Sequence, residues 1–336
     1  MLTLTVPGLL ARGTPALAAT APFRSFARYA DPPVLNREGS ASALCAALGL
    51  PHMTPLASLS ALGAGLPVDD RYMIAATPVT LVADRDIVML AGRVQDLCDD
   101  DAAILIELLN RHFVDDGVSF IAARPATWFA RCERAFSLST APLDAAIGRS
   151  IYSYLPGGAD GKIWQRWQVE IQMLLHEHAV NQQRDAHGLS PISSVWFWGG
   201  GRLSDVRTPT LAADVRVFAV ADESGDLVRG LARHVGLSVD ALPAALSAII
   251  DRLNDSPNAI VALASLSDES AIERFGADWL QPAVTALEAG KVDALRLIAD
   301  GHGAAVSWVA RRPSPFARLT SRLRARPFEI PALAAE

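Results

Sequence analysis

Short apolar runs alternate along this chain with longer segments of helical periodicity, and that alternation constrains the fold more than any single motif. LTLTV at 2–6, VSFIAA at 118–123, SVWFW at 194–198 and NAIVALASL at 258–266 have the length and the branched or aromatic content of strands. SALCAALGL at 42–50, DAAILIELLNRHFVDDG at 101–117, a stretch from about 163 to 186, DLVRGLARHVGL at 226–237 and VDALPAALSAIIDRL at 239–253 have the spacing of helices. VTLVADRDIVML at 79–90 reads as two strands around a polar turn, Ala83 to Asp86, and LPGGADG at 155–161 as a turn-rich break. DALRLIADGHGAAVSWVARR at 293–312 reads as a closing hairpin with Asp300 and Gly301 at its turn. Strands alternating with helices in this way predict an α/β fold.

Composition narrows the class. With 51% apolar and 20% charged residues among 336, the chain can bury a sizeable core in one large or two ordinary domains. A net charge of -6 argues against a dedicated nucleic-acid binder. No apolar run approaches the ~20 residues of a membrane helix, so no membrane span is expected. The first 20 residues lack a basic start and are interrupted by Pro7, Gly8 and Arg12. They read as a buried first strand rather than a cleaved leader. Cys45, Cys98 and Cys132 are odd in number and far apart, which fits reduced thiols in the cytoplasm. From Arg311 to Arg326 there are six arginines and no acid. That stretch reads as a solvated end, with a partner-binding arm as the other reading.

The densest chemistry lies in AVNQQRDAHGLSPISSVWFWGGGR, 179–202. Trp164, Trp167, Ile171, Leu174, Leu175 and His178 recur at helical spacing and are expected to face a core. Asn181 and Arg184, three apart, share one face near the end of that helix. Gly188 ends the helix, Pro191 prevents its resumption, and in the strand that follows Trp196 and Trp198 point opposite to Phe197. Gly199, Gly201 and Arg202 have two readings: a phosphate cradle with a guanidinium clamp, or a strand-ending turn. A dinucleotide fingerprint fails at Ser204 and Pro209, and no Gly-Lys-Ser/Thr makes a P-loop. His176 and His178 are two apart and cannot share an ion from one helix. Asp300 and His302 flank a glycine, which a turn explains without a metal. Ser40 precedes an apolar helix and is expected to cap it; the functional alternative is a nucleophile at a helix N-terminus.

TAPLDAAIGRSIYSYLPGG, LLHEHAVNQQRDAHGLSPISSVWFWGGG and DLVRGLARHVGL, in that order, resemble archaeal-type cofactor-independent phosphoglycerate mutases. They resemble more closely a bacterial phosphoglycerate-mutase-like offshoot, the Rpf-type regulatory proteins. His178, Val180, Asn181, Arg184, Gly188, Pro191, Gly199 and Gly201 match the central motif of those mutases, and GSASALCAALGL resembles their nucleophile segment. The resemblance implies the alkaline phosphatase superfamily, with phosphoryl transfer through a serine helped by two metal ions. The departures fall on the ligands. Pro7-Gly8 stands where the family has Asp-Gly, Ala41 where an Asp follows the serine, and the later Asp-His pair is missing. Ser193 and Trp198 replace an Asn and an Arg of the substrate motif.

These readings predict an alkaline-phosphatase-like core sheet flanked by helices, residues 1–74 and 206–336, with a smaller α/β domain inserted at 75–205. No cofactor and no metal ligand are expected. The expected function is non-catalytic and regulatory, with a protein partner or a small phosphate- or carboxylate-bearing ligand. Asn181, Arg184, Gly199, Gly201 and Arg202 would hold that ligand, the Arg184 fork being braced by Asn181 or backbone carbonyls and aimed at Gly199–Arg202. One alternative is an active mutase or phosphatase using Ser40 and metal ions. Another is a purely structural protein.

Overall fold

The computed structural model describes residues 1–11, 17, 20–85, 87–212, 214–254, 258–266, 268–301, 304–312 and 328–331. Asp86, His302 and the arginine-rich stretch beyond Arg312 lie outside them, so the readings placed there are not addressed. In chain order the first half runs β1 (Leu2–Val6), α1 (Ala21–Ala27), β2 (Val34–Asn36), α2 (Gly39–Ala47), α3 (Leu56–Ala64), β3 (Tyr72–Asp84), β4 (Ile87–Arg93), α4 (Asp99–His112), β5 (Val118–Arg124), β6 (Thr127–Cys132) and α5 (Leu143–Ala146). Then follow α6 (Gly161–His176), α7 (Ala179–Ala186), β7 (Ser194–Gly201), β8 (Arg216–Ala219), α8 (Glu223–His234), β9 (Val239–Ala241) and α9 (Ser247–Ile250). The chain closes with β10 (Ala259–Ala262), α10 (Glu269–Phe275), α11 (Gln281–Ala289), β11 (Ala294–Gly301) and β12 (Ala304–Arg311). The fold is mixed α/β, a large sheet flanked by helices.

The chain divides into two compact units, residues 1–52 with 208–336, and residues 53–207. The sequence expectation drew these lines at 74/75 and 205/206. The difference lies mainly in 53–74, where α3 packs through Ala57 and Ala61 against Met73, Ala75 and Phe129 of the second unit's own sheet.

In the first unit, the described residues form a seven-stranded sheet in the order β2-β12-β11-β1-β10-β8-β9. β1 lies between β11 and β10, parallel to both. A strand so placed is covered on both faces, which is why all five of its residues are buried. Leu2, Leu4 and Val6 enter a core with Phe26, Leu280, Val284 and Leu287, while Thr3 and Thr5 are buried on the other side. α11 is framed by Pro282 in its first turn and a left-handed Gly290 after its last.

In the second unit, β3 bonds β6 through its first residues, β4 through its last, and β7 along 73–79. One face of this sheet carries an aromatic core in which Trp164 of α6 meets Phe197 edge-on at 4.7 Å and Trp167 at 5.0 Å. The helical spacing read from sequence accounts for Trp164, Trp167, Ile171 and Leu175, all buried. At the far side of the sheet, Asn110 of α4 accepts from the Phe120 N–H at 2.6 Å and donates to the Phe120 carbonyl at 3.0 Å. β5 is the last strand of its path, so one side-chain amide occupies backbone groups that no neighbouring strand pairs.

Four local expectations are corrected. The helix expected over 163–186 is two helices, because His178 leaves helical geometry and caps α7, its Nδ1 accepting from the Val180 N–H at 3.2 Å. His178 is therefore half-buried at a junction rather than part of the apolar stripe. The segment 239–253 is not one helix but β9, a loop holding Pro243, and the short α9, since proline cannot continue an i to i-4 ladder. Asp300 and Gly301 do not form the hairpin turn; they remain in β11, paired with Ala305 and Ala304. The glycines after Trp198 belong to β7, and Gly201 pairs with Met73.

Candidate functional site

The helix-to-strand motif lies in the second unit. Asn181 and Arg184 are both buried on α7, with relative exposures of 7% and 3%. The Asn181 amide donates to the Leu175 carbonyl at 2.7 Å and the Ile192 carbonyl at 2.9 Å, and accepts from the Ile192 N–H at 2.8 Å. It thereby ties the end of α6 to the lead-in of β7. Arg184 Nε donates to the Ser190 carbonyl at 2.9 Å, Nη1 to the Asp96 carbonyl at 3.3 Å, and Nη2 to the Asp96 carboxylate at 2.6 Å. The same-face spacing of the pair is as expected, and so is the bracing of the Arg184 fork by a backbone carbonyl. Its direction is not. Gly199 and Gly201 lie five and seven residues beyond Ser194, about 17–23 Å along β7 at roughly 3.3 Å per residue. Asn181 engages Ile192, on the other side of Ser194. The structure does not bring the two halves of the motif together.

The glycines meet their own unit. Gly199 has φ +66°, and a Cβ there would stand 3.0 Å from Leu56 Cβ and 3.3 Å from the Ala57 nitrogen. A Cβ on Gly200 would collide with the Tyr72 hydroxyl, and one on Gly201 would lie 2.6 Å from Pro55 Cγ. The Gly201 carbonyl accepts from Ser58 Oγ at 2.8 Å. These contacts explain the glycine run as room for the start of α3 to sit against β7. Arg202 follows, half-buried, its N–H donating to Asp205 at 3.4 Å.

In the first unit, a polar corner forms where β1 and β11 end. Gly8, with φ +77°, donates its N–H to Asp300 Oδ1 at 2.6 Å, and Leu10 donates to the Asp300 carbonyl at 2.8 Å. Pro7 accepts from the Leu266 N–H at 2.9 Å, and a Cβ on Gly8 would lie 2.7 Å from the Leu266 carbonyl oxygen. Ser40 is the second residue of α2 and does not cap it; the N-cap is Glu38, whose side chain makes no capping bond. Burial pushes the Asp300 carboxyl above its ordinary pKa, while the Gly8 amide and the Ser40 hydroxyl pull it back. Sequence reasoning singled out Gly8 and Asp300 separately. It missed their hydrogen bond, and it missed Asp96, because neither pairing leaves a local signal.

No family model matches the chain. Among curated proteins it is similar to a 2,3-bisphosphoglycerate-independent phosphoglycerate mutase of Methanosarcina barkeri, 28% identical over 209 residues, 57% of this chain and 52% of that protein. A 2,3-bisphosphoglycerate-independent phosphoglycerate mutase 2 of Methanothermobacter thermautotrophicus is 23% identical over 196 residues, 58% of this chain and 48% of that protein. The chain is a distant homologue of the archaeal-type cofactor-independent phosphoglycerate mutases. It spans about half the length of the curated mutases it matches. The solved structure of the PH0037 protein from Pyrococcus horikoshii superposes with a TM-score of 0.46 at 15% identity, covering 92% of this chain and 87% of that one.

The two-metal centre implied for such mutases needs several charged ligands around the serine. Beside Ser40 stands Ala41, the loop after β1 offers Pro7 and Gly8, and the Asp300 carboxylate is engaged by the Gly8 N–H. Among the described residues, no three His, Cys, Asp or Glu side chains group closely enough to hold an ion. The described residues do not fit a two-metal centre. Also among the described residues, no helix is long and apolar enough to cross a membrane.

Proposed function

We propose that this protein is a mutase-like chain that has given up catalysis and acts by binding, as a regulatory protein in the cytoplasm. The observation that carries the reading is the corner at the end of β1, where the Gly8 N–H engages the Asp300 carboxylate and, among the described residues, no group of three His, Cys, Asp or Glu could hold an ion. Phosphoryl transfer draws most of its rate from charges fixed around the phosphate, and a corner without them has lost that term. Asn181 and Arg184 direct the donors described above at their own chain, and the glycines of β7 are packed by α3. Both facts argue against a small anion at that motif. The free thiols Cys45, Cys98 and Cys132 suit a reducing compartment.

A second reading has one observation in its favour. Ser40 stands in the first turn of α2, and its hydroxyl contributes to the pKa of the buried Asp300 carboxyl, so Ser40 remains the residue to examine for residual phosphatase or mutase activity. The test is elemental analysis of the purified chain together with mutase and phosphatase assays in manganese, magnesium and zinc. The expected result is no stoichiometric ion and no turnover above background. Chelator-sensitive turnover that disappears in Ser40→Ala would sink the non-catalytic reading. Thermal melting with 3-phosphoglycerate completes the test: no shift is expected, and a saturable rise lost in Arg184→Lys would restore the anion site.

A further inference from the structure

The last four described residues, Phe328–Pro331, join no strand or helix, yet they are held against the first unit. Phe328 is 4% exposed. Its ring stacks on Trp308 of β12 at 4.8 Å with 29° between planes, and it meets Phe23 and Phe26 of α1 at 5.1 and 6.2 Å. The Trp308 Nε1–H donates to the Glu329 carbonyl at 3.1 Å. The Glu329 residue itself is exposed, while Ile330 is half-buried and packs on the same core as Phe328. We infer that Phe23, Phe26 and Trp308 form a receptor for a short segment of the pattern Phe-x-Ile, occupied in cis by the chain's own Phe328–Ile330. None of these residues belongs to the Gly8–Asp300 corner, so the assignment does not depend on whether catalysis survives.

The receptor reads side chains at alternate positions. Phe328 points in, Glu329 out and Ile330 in again, which is how an extended peptide presents itself to one surface. Aromatic rings favour offset stacking or an edge-on approach, and Phe328 has both, the first with Trp308 and the second with Phe26 at 64°. An indole N–H can only donate, and the carbonyl it takes belongs to the residue after the phenylalanine. Every residue type has that carbonyl, so the bond fixes the register without selecting the middle side chain. Two features mark the segment as an occupant rather than a fixed piece of the core. Among the described residues no strand pairs with it, so it can leave without breaking a ladder. A cleft of about 270 Å³, lined by Asp31, Pro32, Pro33, Trp308, Phe328 and Glu329, opens beside it and gives a competing peptide an approach. Covalent attachment favours the chain's own segment over a free peptide of equal fit. The partner this site suits is therefore a protein with an exposed segment in which an aliphatic residue follows phenylalanine by two positions.

The test is fluorescence anisotropy of a labelled synthetic peptide, Pro-Phe-Glu-Ile-Pro, titrated with the full chain. Phe328→Ala empties the seat, and Phe328→Leu fills it without an aromatic ring; circular dichroism checks that each is folded. Saturable binding is expected for Phe328→Ala. Wild type should bind at least about tenfold more weakly, because its own segment competes, and Phe328→Leu should fall between them. A control peptide with alanine in place of phenylalanine should not bind. Adding Trp308→Phe to Phe328→Ala keeps a ring for the stack and removes the N–H, so the peptide should weaken roughly threefold to tenfold. Four results overturn the receptor. Equal affinity of wild type and Phe328→Ala places the peptide elsewhere. Folded variants that do not bind, or loss of the fold in both variants, show that Phe328 is a fixed core residue. Equal binding of the control peptide shows that the phenylalanine is not read. A wild-type dimer that dissociates in Phe328→Ala shows a segment exchanged between copies rather than held in cis.

Discussion

Asn181 and Arg184 differ in what a substitution would cost, because their partners differ in exposure. The Asp96 side chain is 51% exposed, so water can take over that carboxylate if Arg184 is removed. Arg184→Ala should then cost about 2–3 kcal/mol, mostly from the unpaired Ser190 carbonyl and the lost packing. Arg184→Lys should recover only part of it, since one ammonium cannot reach both directions of the fork. Asn181 has no such relief, as its partners are all backbone groups around a buried side chain. Asn181→Asp sets a carboxylate against two carbonyl oxygens and should cost about 3 kcal/mol or more. Urea titration checks these values; equal costs for the two residues would mean the contacts are not what stabilises the turn. Asp300 gives a pH dependence of opposite sign to the usual carboxylate. Its folded pKa lies above the ordinary 3.8, so the folded chain holds the proton more tightly than the unfolded one. Its contribution is fully present below 3.8 and is lost as pH rises through the raised value. Compared with Asp300→Asn, wild type should therefore lose stability over that window, and parallel stability curves for the two proteins would contradict it.

At the scale of elements, the sequence was most readable where a period and a surface coincide. Trp164, Trp167, Ile171 and Leu175 could be assigned to a core because one helix stripe meets one sheet face. Trp196 and Trp198 opposite Phe197 follow from strand alternation alone. The break before α7 was not readable, since a histidine cap depends on a bond to Val180 rather than on composition. The glycines of β7 suggested a turn because glycine marks turns; their real reason, the approach of Pro55, Leu56 and Tyr72, comes from residues more than a hundred positions away. Asn110 belongs to the same class of hidden roles. By occupying both backbone groups of Phe120, it leaves the edge of β5 with less to offer another strand. Asn110→Ala should cost about 1–2 kcal/mol and should sediment as larger species than wild type at equal concentration. Unchanged sedimentation would show that the edge is guarded by something else.

At the scale of the molecule, alternation of strand and helix was enough to give the class, while the corner at Asp300 was out of reach. No local pattern in a sequence tells which of several strand ends will lie side by side. In the first unit that adjacency has a temporal consequence. β1 sits in the middle of its sheet, yet Leu2 pairs with Ala259 on one side and Leu295 on the other. A ribosome adding about 5–20 residues per second exposes β1 for roughly 13–50 s before its first partner strand has even been made. The unit at 53–207 is contiguous, so everything its sheet needs is synthesised within that interval. Vectorial synthesis thus favours an order in which the unit at 53–207 matures first and β1 is incorporated only after Ala259 has emerged. A message truncated between residues 208 and 258 yields a chain with the 53–207 unit complete and β1 without its partner strands, the kind of segment that chaperones and proteases recognise.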